Sequence, residues 1–272
     1  MEESGSGAAQ AGNWNIVTSG LSKEFDGLRA VDRVDLRVAA GEFFGFIGPN
    51  GAGKTTTINL LCGLLRPTQG SAQVAGFDPQ REPAEVKARI GVLQEEPAVY
   101  EELTGAEFLQ FVGGMRGLTR EEADERAQRL LAFLLLTEAE GQPIGEYSAG
   151  MRKKIGLAAA LMHRPQVLLL DEPFNGVDPI SSRSIKDLLL DLTRRGATVF
   201  FSSHVLEVTE RLCSRVAIIH KGRLVACDSP EGLRAGVGLG EEASLEDVFL
   251  RVVGGGQARQ DLDWLLEGEP PR

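Results

Sequence analysis

The stretch Gly48-Pro49-Asn50-Gly51-Ala52-Gly53-Lys54-Thr55-Thr56 constrains this chain more than any other. It has the form G-x-x-x-x-G-K-[S/T]. The strand-like run Glu42–Ile47 precedes it, and a helical stretch, Lys54–Leu65, follows and stops at Arg66-Pro67. Strand, glycine loop and helix in that order make an α/β unit whose loop faces an anion. Glycines let the backbone turn tightly and bring successive N–H groups onto one phosphate, and the helix N-terminus adds a favourable dipole. Lys54 is placed to reach β- and γ-phosphates, and Thr55 to bind Mg²⁺. The other reading, a glycine-rich turn with a chance lysine, sits poorly with the flanking strand and helix.

A second signal lies far along the chain. Val167-Leu168-Leu169-Leu170 is apolar throughout, as in a parallel strand covered on both faces. It delivers Asp171 and Glu172 at its C-terminal end, where parallel α/β sheets place ligands. Asp171 is the candidate to hold Mg²⁺, and Glu172 the candidate to polarise an attacking water. Alone, an acidic pair at a strand end is commonplace; with the loop at 48–56 it becomes specific.

The rest of the chain fits an α/β fold with a mainly parallel sheet. Further strand signals are Trp14–Thr18, Val34–Val38, Gly91–Leu93 and Thr198–Phe201, with a hairpin at Val216–Ile219 and Leu224–Ala226. Ser182–Thr193 reads as a helix between strands. Thr104 with Glu107 and Thr119 with Glu122 read as capping boxes, each followed by an apolar helical face. These faces suit internal packing, or a groove for a partner helix. Ser229-Pro230 and Ser244 start two further short helices. The expected organisation is a flexible tail at 1–13, a nucleotide-binding core at 14–96 and 167–228, a helical subdomain at 97–166, and a C-terminal extension at 229–272.

Composition narrows the function. With 29 Lys and Arg against 39 Asp and Glu, the 272-residue chain carries a net charge of −10, so a general nucleic-acid or anionic-lipid coat is not expected. Cys62, Cys213 and Cys227 form neither a disulfide framework nor a metal-ligand spacing, and read as reduced thiols in a cytosolic protein. The first residues lack a signal peptide's basic and apolar regions, and no apolar run approaches the ~18 residues needed to span a bilayer. The chain is not expected to cross a membrane by itself.

Taken in order, these motifs resemble the ATP-binding subunit of an ABC transporter, over residues 14 to 228. Gln94 matches that family's Q-loop glutamine. Tyr147-Ser148-Ala149-Gly150-Met151 stands at the signature position, Asn175-Gly176-Val177-Asp178 at the D-loop, and His204 at the switch histidine. Phe25 occupies the place of the aromatic that stacks on adenine. The resemblance implies a P-loop core with an antiparallel β element and a helical insertion. It implies ATP and Mg²⁺ as ligands, with Gln94 touching Mg²⁺ or water and His204 holding the γ-phosphate or steadying the water. It also implies a head-to-tail dimer, with a second copy or a homologous ATPase subunit. In that dimer Ser148 and Gly150 of one subunit cap the γ-phosphate held by the other, and Asp178 communicates between the two sites. Each also has a plainer reading: Gln94 as a surface amide, Ser148 as a helix cap, Phe25 as a core residue at a strand end.

The signature departs from the family's commonest Leu-Ser-Gly-Gly-Gln. Ala149 and Met151 replace Gly and Gln, and Arg152, Lys153 and Lys154 follow. The form Tyr-Ser-x-Gly-Met-Arg-x-Lys, with the tail Leu245–Leu250, resembles exporter ATPases for drugs or polysaccharides. The resulting expectation is an ATPase that powers a separate integral membrane permease from the cytoplasmic face, with no nucleic-acid partner. The rival readings are a soluble ABC ATPase acting on ribosomes or DNA, and a module that senses ATP without hydrolysing it.

Overall fold

A computed structural model describes residues 13–240 and 242–254. The tail expected at 1–13 lies outside the described residues except for Asn13, and so does the end of the C-terminal extension from residue 255. In chain order the elements are β1 (Trp14–Phe25), β2 (Leu28–Ala39), β3 (Phe43–Ile47), α1 (Lys54–Leu61), β4 (Gln69–Val74), α2 (Pro83–Arg89), β5 (Ile90–Leu93), α3 (Gly105–Met115), α4 (Arg120–Phe133) and α5 (Ala149–Leu161). They continue as β6 (Val167–Asp171), α6 (Pro179–Arg194), β7 (Thr198–Ser203), α7 (Leu206–Leu212), β8 (Arg215–His220), β9 (Arg223–Asp228), α8 (Pro230–Gly236) and α9 (Leu245–Val253).

Two sheets result. The larger has the order β5-β6-β7-β3-β8-β9, parallel except for the β8–β9 hairpin. The smaller is antiparallel, with the order β2-β1-β4. Every residue of β3, β6 and β7 is buried, as expected for strands covered on both faces. Their alternation divides the interior into two cores. Phe44, Phe46, Val167, Leu169 and Phe200 join α1 and the antiparallel sheet. Phe43, Ile47, Leu168, Leu170, Val199 and Phe201 join the helices α3 to α6. Aromatic pairs tie β3 to β7 on both faces: Phe44 and Phe200 stack at 5.7 Å, and Phe43 meets Phe201 edge-on at 5.6 Å.

Register matters most for the chemistry. Phe46 and Asp171 both pair with Ser202, and Ile47 pairs with Ser203. The C-terminal ends of β3, β6 and β7 therefore lie level, and each releases a functional segment there: the loop from Gly48, the Asp171-Glu172 pair, and His204.

Local signals hold where side chains act on their own backbone. Both capping boxes are present, at Thr104–Glu107 and Thr119–Glu122, and Ser229 and Ser244 cap α8 and α9. The cysteines are free thiols. Other elements differ from the sequence reading. β1 continues through Ser19-Gly20, where a register shift between Thr18 and Leu21 absorbs the apparent break. α1 stops at Leu61, because Gly63 turns into the left-handed region with φ +75°. α6 begins at Pro179, capped by the Asp178 carboxylate, rather than at Ser182. β4 and α2 have no sequence forecast: the start of β4 is exposed and polar and gains its strand character by pairing with β1.

His163 joins the α5–β6 turn to β5 through a 2.9 Å contact between Nε2 and the Ile90 carbonyl. Burial, aided by the Arg116 charge, lowers its pKa from 6.5 to about 4. An unfolded chain therefore binds a proton between those values that the folded chain refuses. Stability is expected to fall as pH drops from 6.5 toward 4, and His163→Gln to flatten that slope, read from denaturant midpoints across the pH series.

Candidate functional site

The loop after β3 is shaped by what its glycines approach. A Cβ on Gly48 would overlap the Ile219 carbonyl oxygen, and one on Gly53 the Ala30 carbonyl oxygen. Gly51 and Gly53 also lie at positive φ, 76° and 108°. Inside the loop, the Ala52 N–H donates to Pro49 O at 3.1 Å, and Ala52 O accepts from the Gly222 N–H at 2.9 Å. The turn thus stands on the β8–β9 hairpin. Gly53 is the N-cap of α1 and supplies no side-chain acceptor, and the first turn holds no acidic residue. The first N–H groups of α1 are left for an outside acceptor.

That end of α1 opens on a cleft of about 630 Å³, bordered by Phe25, Asn50, Gly51, Thr55, Thr56 and Glu172 among others. Lys54 enters it from the helix and is 7% exposed. Its ammonium donates to Gly48 O at 2.8 Å and lies 3.8 Å from Glu172 Oε1. The Thr55 hydroxyl donates to Asp171 Oδ2 at 2.6 Å. Glu172 Oε2 meets His204 Nδ1 at 2.9 Å, and His204 itself is exposed. Candidates from three distant parts of the sequence, Lys54 with Thr55, Asp171 with Glu172, and His204, thus meet in one cleft.

Glu172 is held at φ +48°. A non-glycine residue in this region carries strain that the surroundings must sustain. Phe25 borders the cleft at the tip of β1 and is 41% exposed. The Lys23 ammonium lies 4.9 Å from its ring centroid.

The remaining candidates lie elsewhere. Gln94 borders a separate cavity of about 270 Å³ beside β5 and α3, and the next residue, Glu95, borders the nucleotide cleft. Ser148 caps α5 by accepting from the Met151 N–H at 3.2 Å and is exposed. Gly150 abuts the loop after β6, where a Cβ would overlap Gly176 O. Asp178 caps α6 through the Ser181 N–H at 2.9 Å. That bond, with the Ser181 hydroxyl and nearby Lys154, lowers its pKa. Neither Ser148 nor Asp178 borders the cleft of its own chain. The sequence reading also passed over Asn175 as a cleft residue, and Ser202, whose hydroxyl donates to Asp171.

The donor set fits a magnesium nucleotide. Backbone N–H groups and an ammonium face a polyanion, and a hydroxyl and a carboxylate meet beside them, as a hard cation prefers. The ABC transporter family matches residues 31–175, more than half of the chain. The chain belongs to that family. A daunorubicin/doxorubicin resistance ATP-binding protein from Streptomyces peucetius is 41% identical over 223 residues, 82% of this chain and 68% of the relative. A linearmycin resistance ATP-binding protein from Bacillus subtilis is 38% identical over 82% of this chain and 72% of its own length. A solved ATP-binding subunit of an ABC transporter superposes with a TM-score of 0.82 at 30% identity, over 87% of this chain and 98% of that one. As an ABC ATP-binding subunit the chain is an ATPase, with ATP as nucleotide and Mg²⁺ as its usual companion.

Gly53→Ala puts a methyl group onto the Ala30 carbonyl at a φ that disfavours it. It is expected to weaken ATP binding about tenfold or more, roughly 1.4 kcal/mol, in a titration with a fluorescent ATP analogue.

Proposed function

We propose that two copies of this subunit close head to tail on two ATP molecules and drive a separate membrane permease that exports organic compounds. The observation that carries the catalytic half is the placement of the Glu172 carboxylate, between the Lys54 ammonium and the His204 ring. The loop at 48–56 and Lys54 hold the phosphates. Glu172 accepts a hydrogen bond from the attacking water as it adds to the γ-phosphorus, and His204 steadies that water from the exposed side. Thr55 and Asp171 would hold Mg²⁺, with Gln94 reaching it once its loop turns toward the cleft; the ion neutralises phosphate charge. ADP and inorganic phosphate leave. Positioning and charge neutralisation supply most of the rate gain.

The dimer reading rests on the residues that the cleft does not use. Ser148 and Gly150 lie at the exposed N-terminus of α5, a hydroxyl and a bare backbone beside open N–H groups. They suit a γ-phosphate brought by another copy. Asp178 stands at the start of α6, next to the same surface, and communicates between the two sites. Phe25 stacks on adenine.

Export is favoured by the two relatives described above, named for resistance to daunorubicin/doxorubicin and to linearmycin. No helix among the described residues is long and apolar enough to cross a membrane, and this reading assigns the translocation path to the separate permease. Its docking place is the cavity at Gln94 and the adjoining aromatic surface, where Tyr100 meets Phe111 at 5.3 Å and Phe108 at 6.3 Å. The subunit then sits on the cytoplasmic face of the membrane.

Glu172→Gln is expected to keep ATP binding, slow phosphate release by at least about 100-fold, and accumulate an ATP-bound dimer in size-exclusion chromatography. Unchanged turnover removes Glu172 from this role. Ser148→Arg is expected to bind ATP as a monomer, yet to lose both dimer and hydrolysis. Wild-type phosphate release in that variant refutes the arrangement in trans.

A further inference from the structure

Ser202 is the last but one residue of β7 and is completely buried. Serine is a poor strand filler, and its hydroxyl costs free energy inside a core unless both its donor and its acceptor capacity are used. Here both are used, toward the last residue of β6 and the residue that follows it. The Ser202 hydroxyl donates to Asp171 Oδ1 and accepts from the Glu172 N–H at 3.0 Å. Register makes this possible, since Ser202 pairs directly with Asp171 across β6 and β7. The next residue acts differently: the Ser203 hydroxyl accepts from the Val205 N–H at 2.9 Å and shapes the turn that carries His204.

Two consequences follow for the site. The two oxygens of the Asp171 carboxylate are divided, Oδ1 to Ser202 and Oδ2 to Thr55. The carboxylate plane is therefore fixed from both sides, and the oxygen turned toward Thr55 is the one aimed at the cleft. The Glu172 backbone is pinned at the N–H of a residue with φ +48°. Without that bond the strained geometry loses a local restraint, and the side chain between Lys54 and His204 loses its aim. A fully buried side chain on a rigid strand thus couples the proposed metal ligand to the proposed water-polarising residue.

The geometry points to Ser202 as a positioning residue for ATP hydrolysis, one hydroxyl that orients the Asp171 carboxylate for Mg²⁺ and holds the left-handed Glu172 backbone in its reactive setting. This rests on the roles given above to Asp171 and Glu172. Ser202 touches neither nucleotide nor water; it acts through its neighbours, as an outer partner does for a metal ligand.

The test uses the full chain, with Mn²⁺ in place of Mg²⁺ and a non-hydrolysable ATP analogue. Mn²⁺ affinity is read by electron paramagnetic resonance, nucleotide affinity without metal by fluorescence, and kcat by phosphate release. Ser202→Ala is expected to weaken Mn²⁺ binding and lower kcat, each by about tenfold or more, and to leave metal-free nucleotide affinity within about twofold. Ser202→Cys keeps the side-chain shape but is a poor donor; it is expected to match the Ala variant in Mn²⁺ affinity and the wild type in melting temperature. Mn²⁺ affinity within about twofold of wild type in either variant overturns the inference. A matched loss of metal-free nucleotide affinity also overturns it, since that marks general damage to the fold. Wild-type turnover in Glu172→Gln strikes at the proposed function instead, and the Mn²⁺ titration reads Ser202's hold on Asp171 without any hydrolysis.

Discussion

A buried ammonium at the head of a helix is an unfavourable object. Lys54 sits at the positive end of α1, where the dipole repels it, and it is almost wholly removed from water. Two backbone carbonyls of the preceding loop and the Glu172 carboxylate offset that cost. The rest of the site depends on this arrangement. The loop must curl tightly enough for Gly48 O to face back on Lys54, and β6 must end level with β3 for Glu172 to reach it. A bound triphosphate then supplies the negative charge that the loop and helix are built to receive.

The parallel sheet makes the meeting possible. β3, β6 and β7 are short, fully buried and in register, and paired phenylalanines, one pair stacked and one edge-on, lock β3 to β7. Their side chains alternate between two cores, so Asp171 and Ser202 fall on the α1 face, on the side that carries Thr55. Polar groups in such a place must be satisfied by one another, and they are. The charges and hydroxyls at the strand ends form one network rather than a set of independent groups.

The functional groups divide by location. Those bordering the cleft belong to the tip of β1, to the glycine loop and to the ends of β6 and β7. Those at the N-termini of α5 and α6, Ser148 and Asp178, are turned to the outside of the chain and are used locally as helix caps. A cap and an anion contact draw on the same feature, the open N–H groups of a first turn. Either helix start has N–H groups to offer a partner while its cap remains.

Sequence alone determined the features that depend on near neighbours. The glycine loop between strand and helix, the two capping boxes, and the apolar run ending in Asp171-Glu172 each act within a few residues, so spacing reveals them. The family pattern added His204, Gln94 and the signature serine in order, because order survives in a sequence. Tertiary structure decided what depends on pairing between distant segments. It put Gln94 beside a different cavity from Glu95. It made a strand of the polar segment Gln69–Ser71 by offering it the edge of β1. It set Glu172 against His204 and gave Ser202 its partners. A serine inside an apolar strand looks the same in sequence whichever residue lies across from it. Only the register of β7 against β6, fixed by the packing of both faces at once, selects Asp171.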